Sequence, residues 1–526
     1  MTEQTNNNQN QPYSRPAYFF IIASTLTGFA VMTVELLASR LVAPLIGNSI
    51  YTWTSIIGTT LLGLVIGSLI GGKIADRPRG PSYLSLLFGL AAASVALIPG
   101  LVTKAGFILN SPLGVIGMNM ILCLYLFLVP STILGTIQPI LLKKYTTELS
   151  LIGRRYGLLS AVWSLGSIAG VFLTGFVFIS YIGSAETLWL ITIVLLFLAA
   201  AFTPWRHLNL RTWLGLVLIA GITAAIGQPA TAHGSGQVLL DQETPYYRAR
   251  VVDTFLPNFG SLRILFLDSD SHSVKSQQPN SDYYAELYPV FKIVAPNLRE
   301  IMMIGAGGYT MPELFKQAYP EATVKVLELD QSLVDIGQKY FGLDTKKIST
   351  VIGDARPTLA KDPQKYDLIF GDAYNSYISV PWYLLTEEWT ETVREHLNPG
   401  GIYAVNFIGT LKGTGAAMTE SVVDTFQKVF PHYYVFATGD SPFITQNIVL
   451  IGFNGDAPMA PGTLKQELIK AGYGALAAQL RADSPLTDQP GLILTDNLAP
   501  VERLMTPNME NYFADNLKLM KEIFGN

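Results

Sequence analysis

The sequence predicts a multi-pass α-helical membrane bundle, followed by a small β domain and then an α/β domain. Three observations predict these parts. Residues 18–228 are a series of long apolar runs, whereas the chain after residue 230 has the charge density of a soluble domain. Two short segments rich in β-branched and aromatic residues lie between residues 244 and 267. From residue 301 onward, strand-like runs alternate with helical patterns, which predicts a parallel, doubly wound sheet.

Composition agrees with a membrane protein that carries a soluble domain. Mean hydropathy is +0.34, and 14% of the 526 residues are charged, which is too apolar and too long for one ordinary soluble domain. The net charge of −4 is too small to indicate a nucleic-acid partner. Cys123 is the single cysteine of the sequence, which excludes an internal disulfide and a cysteine metal cluster. We predict no metal.

The first half is expected to begin with a disordered tail, residues 1–17, which is polar and rich in Asn and Gln. A helix that crosses a bilayer needs about 20 apolar residues. About seven segments approach that length, namely 18–40, 51–73, 82–103, 114–142, 156–182, 186–203 and 212–228. Lys and Arg, which favour cytoplasmic loops, follow the second, fourth and sixth segments. We therefore place the chain in the cell (inner) membrane, with its N-terminus in the cytoplasm.

Polar and small residues inside these segments carry further expectations. Glu35 lies in the first segment, and a charge in lipid is costly. It either meets a single polar partner or contributes to a polar site in the bundle that Gln138 joins. Glycines recur at helical spacing in the second segment, at Gly63, Gly67 and Gly71. Such spacing predicts close packing between membrane helices.

The stretch Ile301–Asp330 predicts a strand, a glycine-rich turn, a helix and a second strand. Gly305, Gly307 and Gly308 allow the backbone of the turn to approach a ligand closely. Glu328 lies near the end of the second strand, about 20 positions after the glycines. An acid at that place suits the hydroxyls of a ribose.

Two further acids follow the next two strands. Asp354 comes after the predicted strand 348–352, and Asp372 comes after the predicted strand 366–370. Ligands of parallel sheets bind beyond the carboxyl ends of the strands, so the glycine turn and the three acids are expected to meet there. An acid at a strand end also caps the next helix, and both interpretations stay open for Asp354 alone. The set as a whole predicts a nucleoside-containing ligand.

With these residues, the second half resembles the spermidine synthase family of polyamine aminopropyltransferases, in the branch that carries a multi-pass bundle ahead of the synthase-like domain. The segments Glu35–Arg77 and Thr495–Glu502, with the sequence TDNLAPVE, are similar to that branch as well. The domains are then a bundle at 18–228, a linker at 229–242, a small β domain at 243–295 and a Rossmann-like domain of the methyltransferase/spermidine synthase type at 296–526. The resemblance also implies decarboxylated S-adenosylmethionine as the co-substrate, putrescine or a similar amine as the acceptor, and a homodimer.

The resemblance assigns roles residue by residue. The residues implied to bind the adenosyl co-substrate are Gly305, Gly307, Gly308, Glu328, Asp354 and Ala355. Asp372 matches the first acid of the family's catalytic Asp-x-x-Asp-Pro loop. A carboxylate there takes the proton of the attacking amine and favours a cationic substrate.

Several positions that bind the amine depart from the family pattern. In the family an acid contacts the aminopropyl amine, and this chain has Gly308 at that position. The second acid of the catalytic loop is replaced by Asn375. A family glutamine falls on Tyr247, and a family histidine falls on Ala285, beside Glu286. The candidate substrate-binding residues are Tyr247, Tyr284, Glu286 and Asn375. Asp268 and Asp270 either rebuild an acidic pocket or are ordinary surface acids.

Three functions follow from these residues. The leading hypothesis is a membrane-bound aminopropyltransferase-like enzyme that uses Asp372 as its base. The first alternative is a transferase that uses S-adenosylmethionine itself on a membrane-delivered substrate, and the second is a transporter or sensor whose soluble domain only binds a nucleoside or polyamine. Seven crossings would place the soluble domain outside the cytoplasm, away from an intracellular co-substrate. Either the segment 212–228 does not cross, or the domain faces outward.

Overall fold

The computed structural model describes residues 16–77, 83–109, 113–146, 148–203, 236–256, 260–276, 287–373, 381–481 and 486–524. The chain divides into two compact units. One consists of Met1–Val42 and Tyr51–Thr231, and the other consists of Ala43–Ile50 and Ala232–Asn526.

Six helices in the described residues are long and apolar enough to cross a membrane. They are α1 (Ala17–Ile46), α2 (Ile50–Ala75), α3 (Tyr83–Thr103), α4 (Val115–Tyr145), α5 (Ile152–Phe178) and α6 (Ser184–Phe202). Two short helices, Gly106–Leu109 and Ile179–Tyr181, lie between them. The six long helices coincide with the first six predicted segments. The seventh segment, 212–228, and the tail 1–15 lie outside the described residues.

Glycines bring the helices of the first unit into backbone contact, as the spacing predicts. A Cβ atom on Gly71 of α2 would lie 2.5 Å from the carbonyl oxygen of Thr136 in α4. A Cβ atom on Gly170 of α5 would lie 2.6 Å from the carbonyl oxygen of Phe29 in α1. Only glycine leaves room for such an approach.

The structure does not bring Gln138 and Glu35 together. Ser24 of α1 donates a hydrogen bond to Gln138 Oε1 at 3.0 Å. Glu35 lies eleven residues farther along the same helix, roughly 16 Å away along its axis. Gln138 therefore does not join Glu35, and a polar site formed around Glu35 by other side chains stays a prediction.

The second unit begins with a four-stranded antiparallel sheet in the order β1-β2-β3-β4. Its strands are β1 (Gln237–Glu243), β2 (Arg248–Leu256), β3 (Gly260–Leu267) and β4 (Asp270–Ser276). Strand β1 lies almost wholly inside the predicted linker 229–242. It is a strand because it pairs with β2, with Gln237 opposite Asp253, and because Leu239 and Leu240 pack on the cluster around Tyr247.

An eight-stranded sheet follows, in the order β12-β10-β11-β9-β8-β5-β6-β7. Its strands are β5 (Glu300–Ile304), β6 (Thr323–Glu328), β7 (Ile348–Ile352), β8 (Tyr366–Gly371), β9 (Leu397–Gly409), β10 (Tyr433–Ala437), β11 (Gln446–Phe453) and β12 (Leu480–Arg481). Strands β5 to β9 are parallel to one another, as predicted. Strands β10 and β11 are an antiparallel hairpin instead, because residues 438–445 between them are too few for the crossover of roughly a dozen residues that a parallel neighbour needs.

The described part of the second unit also contains α-helices. They are α7 (Tyr288–Val294), α8 (Thr310–Ala318), α9 (Gln331–Ile336), α10 (Ala355–Leu359), α11 (Glu387–Glu395), α12 (Ala416–Val429), α13 (Pro461–Lys470), α14 (Gly474–Gln479) and α15 (Val501–Phe524). A short 3-10 turn, Trp382–Leu384, precedes α11 and is separate from it. The helix begins anew after the turn because the side chain of Thr386 caps α11, accepting a hydrogen bond from the amide of Trp389.

The core of the second unit lies between the parallel strands and these helices. Phe291 of α7, Phe315 of α8 and Phe370 of β8 form an aromatic cluster in it, with ring centroids 5.4 to 6.1 Å apart. This packing holds the parallel strands rigidly. The carboxyl ends of these strands are consequently fixed relative to one another.

Candidate functional site

A cavity of about 590 Å³, its open mouth included, lies at the carboxyl ends of the parallel strands. Seven of the residues predicted to bind a ligand or to act as the base line it. They are Tyr247, Gly305, Gly307, Glu328, Asp354, Ala355 and Asp372. His272 and Tyr383 line it too. The arrangement at one edge of the sheet is the one expected from the spacing of the sequence.

The glycine turn after β5 touches the backbone that follows β8. Gly305 has a φ of +79°, and Gly307 has a φ of +51°, which are left-handed conformations that glycine adopts without strain. A Cβ atom on Gly305 would lie 2.5 Å from the carbonyl oxygen of Asp372. The turn therefore has to be free of side chains both for its conformation and for its contact with Asp372.

Gly308 has a different environment from the other two glycines. It is not among the lining residues of the cavity, and its amide donates a hydrogen bond to Ser273 Oγ at 2.7 Å. A Cβ atom here would lie 2.9 Å from Ser273 Cβ and 3.0 Å from Phe341 Cδ1. The space that an acid would need at this position is occupied by these two side chains.

Glu328 ends β6 and is 5% exposed. Its carboxylate accepts hydrogen bonds from the amides of Ala306 at 3.1 Å, Leu329 at 2.8 Å and Asp330 at 3.1 Å. Burial raises the pKa of this carboxyl to about 7, against the opposing effect of these amides. Two carboxylate oxygens offer about four lone pairs, so the group retains capacity for a hydroxyl donor.

Asp354 caps a helix and also lines the cavity, so its role as a cap does not remove it from the candidate site. Its Oδ1 accepts from the amide of Arg356 at 3.0 Å, which caps α10. Its Oδ2 accepts from the hydroxyl of Tyr383 at 3.3 Å. Burial, then the charge of Asp354, raises the pKa of Tyr383 to about 12. Tyr383 therefore stays a neutral donor at neutral pH.

Asp372 lies directly after β8, and Asn406 of the neighbouring strand β9 contacts it. Asn406 Nδ2 donates to Asp372 Oδ1 at 3.0 Å. The amide of Asp372 donates to the carbonyl of Ile304 at 2.8 Å. Both the backbone and the side chain of the predicted base are thus held by the sheet.

The predicted acceptor side is only partly described. Tyr247 is buried against the cavity, and its pKa is raised well above the usual value by burial and then by Glu328. Tyr284, Glu286 and Asn375 lie outside the described residues. Asp268 and Asp270 are buried at the β3–β4 turn, so they are not surface acids, and neither lines the cavity.

Three side chains of the site were not singled out from the sequence. Tyr383, Asn406 and His272 contact the cavity or its base. Only His272 carried a local signal, because it lies with two acids in the segment 267–273. No group of three or more His, Cys, Asp or Glu side chains in the described part of the chain is arranged to hold a metal ion.

A protein-family model matches the part of the chain that forms this edge of the sheet. The family model described as the spermine/spermidine synthase domain matches residues 283–450. A probable polyamine aminopropyl transferase of Bifidobacterium longum is 28% identical over 247 residues, which cover 44% of this chain and 54% of the relative. The chain thus spans about half the length of this relative.

Two further relatives differ in their named activities. A polyamine aminopropyltransferase of Vibrio vulnificus is 26% identical over 220 residues, covering 40% of this chain and 71% of the relative. An eEF1A lysine and N-terminal methyltransferase of Danio rerio is 27% identical over 199 residues, covering 36% of this chain and 28% of the relative. The similarity in all three cases covers less than half of this chain.

Proposed function

We propose that this chain, whose residues 283–450 match the family model of the spermine/spermidine synthase domain, is a transferase that moves an aminopropyl group from decarboxylated S-adenosylmethionine to an amine such as putrescine. One observation carries the proposal. Within the matched residues, Glu328, Asp354 and Asp372 line a single cavity beside a glycine turn. The family match confirms the resemblance to the spermidine synthase family for residues 283–450.

The residues have separate roles in this reaction. Glu328 and Asp354 accept hydrogen bonds from the ribose and the adenine of the nucleoside. Asp372 accepts a proton from the ammonium group of the acceptor, which leaves a lone pair on nitrogen. That nitrogen forms a bond to the carbon next to the sulfonium, the carbon–sulfur bond breaks, and methylthioadenosine leaves with the electron pair on sulfur.

The first experiment separates binding from transfer. The purified full chain is titrated by calorimetry with methylthioadenosine, decarboxylated S-adenosylmethionine and S-adenosylmethionine, and then assayed with putrescine. Loss of a general base typically costs 10²–10⁴-fold in rate, so we expect Asp372→Asn to lose transfer by about that factor while methylthioadenosine still binds.

The matched control is Asp367→Asn. Asp367 lies at the opposite end of β8 and accepts hydrogen bonds from Asn398 and from the amides of Arg299 and Glu300. It is expected to leave transfer unchanged once the folded fraction is equalised. Absence of any adenosyl binding by the wild-type protein, or full transfer by Asp372→Asn, would overturn the proposal.

A second function is favoured by the packing at Gly308. The wall at this position has no room for an acid that would bind the aminopropyl ammonium, because Ser273 and Phe341 fill the space. S-adenosylmethionine carries a carboxylate beside its ammonium group, and an acid at this position would repel that carboxylate, so S-adenosylmethionine used as a methyl donor on a membrane-delivered substrate fits this feature. Tighter binding of S-adenosylmethionine than of its decarboxylated form would select this function. Binding of a nucleoside or a polyamine without turnover would instead indicate a sensor or a transporter.

Helices α1 to α6 would anchor the enzyme in the cell membrane. Their apolar length supports a lipid bilayer as a partner. The family resemblance adds a homodimer, which chemical crosslinking of the detergent-solubilised chain tests directly. A single crosslinked species of twice the monomer mass is expected, and a monomer at all concentrations would contradict it.

A further inference from the structure

The adenine end of the cavity is tied to a distant part of the chain. Arg356 directly follows Asp354 and Ala355, and its guanidinium forms a two-pronged contact with Asp496. The Nη1–Oδ1 distance is 2.8 Å, and the Nη2–Oδ2 distance is 2.5 Å. Asp496 belongs to the segment Thr495–Glu502 that the sequence singles out by resemblance alone. Paired hydrogen bonds of this kind fix orientation as well as distance.

Asp496 is itself held in place by the start of α11. Thr386 Oγ1 donates to Asp496 Oδ1 at 2.8 Å, and the amide of Asp496 donates to Glu388 Oε2 at 3.0 Å. The amide of Glu387 donates to the carbonyl of Leu494 at 2.9 Å. The segment around Asp496 is therefore docked by both main-chain and side-chain contacts.

Arg356 closes a ring of contacts that returns to the cavity. Its Nη1 also donates to the carbonyl of Tyr383 at 3.2 Å, and the hydroxyl of Tyr383 donates to Asp354 Oδ2 at 3.3 Å. The ring thus runs from Asp354 through Arg356 and Tyr383 back to Asp354, with Asp496 holding the arginine from outside. Asp354 and Tyr383 line the cavity, whereas Asp496 does not.

The carboxylate of Asp496 keeps the guanidinium of Arg356 away from Asp354. Arg356 is next but one to Asp354 in the chain, and an arginine without an acidic partner is free to turn toward the nearest carboxylate. In the structure, both prongs of the guanidinium are occupied by Asp496. Asp354 consequently keeps its oxygens for the helix cap, Tyr383 and the ligand.

We propose that Asp496 is a positioning residue for the nucleoside site, which acts through Arg356 to hold Asp354 and Tyr383 in the geometry that binds the base. This inference rests on the proposed function, since the ligand is the adenosyl group assigned there. The segment Thr495–Glu502 then supports the binding site from outside, without contacting the ligand.

The test measures the affinity of the full chain for methylthioadenosine by calorimetry. We expect Asp496→Asn and Arg356→Lys each to weaken binding by about 10-fold or more. The first variant loses the negative charge of the carboxylate, and the second loses the planar guanidinium that donates two parallel hydrogen bonds. The KM for the adenosyl donor should rise by a similar factor, while kcat changes less than about threefold. A merely structural role would lower the folded fraction and leave the affinity of the folded protein unchanged.

The matched control is the pair Arg263–Asp253 in the same unit. It is also a two-pronged contact, made by Nε and Nη2 of Arg263 with both distances 2.7 Å, and neither residue lines the nucleoside cavity. Asp253→Asn is expected to leave the affinity for methylthioadenosine within about twofold of wild type. Melting temperatures of all variants are measured alongside, so that a loss of folding is separated from a loss of binding.

Double-mutant cycles test whether Asp496 affects nucleoside binding through Arg356 and Tyr383. The losses caused by Asp496→Asn and Tyr383→Phe should be less than additive, since both disturb the same ring. The losses caused by Asp496→Asn and Glu328→Gln should add, since Glu328 holds the other end of the nucleoside. A folded Asp496→Asn protein that binds within twofold of wild type would sink this inference alone. A wild-type protein that binds no nucleoside would overturn the proposed function together with it.

Discussion

Asn406 donates a hydrogen bond to Asp372 across two neighbouring strands, with 3.0 Å between Nδ2 and Oδ1. Asn406 is 3% exposed, and its Nδ2 is also 3.2 Å from Asn447 Oδ1. The acid proposed as the base therefore has a fixed orientation before any acceptor arrives. Orientation of a general base controls how well it reaches the proton that it removes.

We expect Asn406→Ala to lower kcat by about 10-fold or more, with little change in the affinity for methylthioadenosine, because Asp372 loses its orienting donor. Steady-state kinetics with putrescine and the adenosyl donor measure the effect. Asn398→Ala is the matched control, since Asn398 donates to Asp367 Oδ1 at 2.7 Å at the other end of the same two strands. Equal losses in the two variants would show that the effect is on folding and not on the base.

Introducing the missing acid at Gly308 should damage the fold without restoring family-type binding. Gly308→Asp forces a side chain against Ser273 and Phe341, and overpacking of this kind costs roughly 1–3 kcal/mol of unfolding free energy. We expect a lower melting temperature and no gain in affinity for the decarboxylated donor. Gly462→Asp makes the same change in α13, where a Cβ atom has no neighbour within 4 Å, and should leave the melting temperature nearly unchanged. Tighter binding of the decarboxylated donor by Gly308→Asp would contradict this prediction.

Stability should depend on pH through Glu328. The pKa of this carboxyl is about 7 in the folded protein, against an ordinary value of 4.5 for a glutamate in the unfolded chain. Between these two values the folded state retains a proton that the unfolded state has lost. The free energy of unfolding therefore falls as pH rises from about 5 to about 7, by roughly 2–3 kcal/mol.

Thermal melting between pH 5 and 8 measures this dependence. In Glu328→Gln the contribution is absent, so the gap between variant and wild type should change across that range. Asp344→Asn is the control. Hydrogen bonds from Lys346 and Lys347 lower the pKa of Asp344, so this carboxyl does not change its charge between pH 5 and 8. Parallel curves for wild type and Glu328→Gln would show that Glu328 does not titrate in this range.

Adjacent glycines in α2 should differ sharply in tolerance. Gly71→Ala places a methyl group 2.5 Å from the carbonyl oxygen of Thr136, whereas Gly72→Ala places one where no neighbour lies within 4 Å. We expect only the first to destabilise the bundle, by roughly 1–3 kcal/mol. Thermal aggregation of the detergent-solubilised chain compares them. Alanine has a higher helix propensity than glycine, so a similar gain in both variants would mean that helix propensity and not packing decides the outcome.

The side of the membrane on which the soluble unit lies is open to a direct test. Six crossings by α1 to α6 from a cytoplasmic N-terminus would return the chain to the cytoplasm, where an adenosyl donor is made, provided that the segment 212–228, which lies outside the described residues, does not cross. We therefore predict that a reporter enzyme that works only in the cytoplasm is active when it is fused after residue 230. A fusion after residue 110, past the third helix, is the control and should give the opposite signal. Two equal signals would contradict the orientation.

Local spacing in the sequence predicted the part of the site that is built from consecutive elements. Gly305, Glu328, Asp354 and Asp372 each lie at or just after the end of a strand, and strand ends of a parallel sheet meet at one edge. The contacts around them were not predictable in this way. Asn406 lies 34 residues from Asp372, and Asp496 lies 140 residues from Arg356. Such pairings are decided by the tertiary packing and leave no local pattern.

Local sequence also failed to predict the strand directions at one edge of the eight-stranded sheet. Strand-like runs at β10 and β11 have the same apolar composition as the parallel strands before them. Their direction depends on the connection between them, residues 438–445, which is a turn and not a helix. The alternation of strands and helices therefore predicted the central strands correctly and the edge incorrectly.

The contact between Arg356 and Asp496 also bears on how the protein is made. The ribose end of the site needs residues 22 positions apart, Ala306 and Glu328, so it can form early during synthesis. The proposed adenine end also needs Asp496, which lies 140 residues after Arg356. Synthesis from the N-terminus therefore completes the proposed nucleoside site only after residue 496 has been added. A nascent chain that lacks Asp496 is expected to hold the adenosyl substrate less tightly than the longer chain.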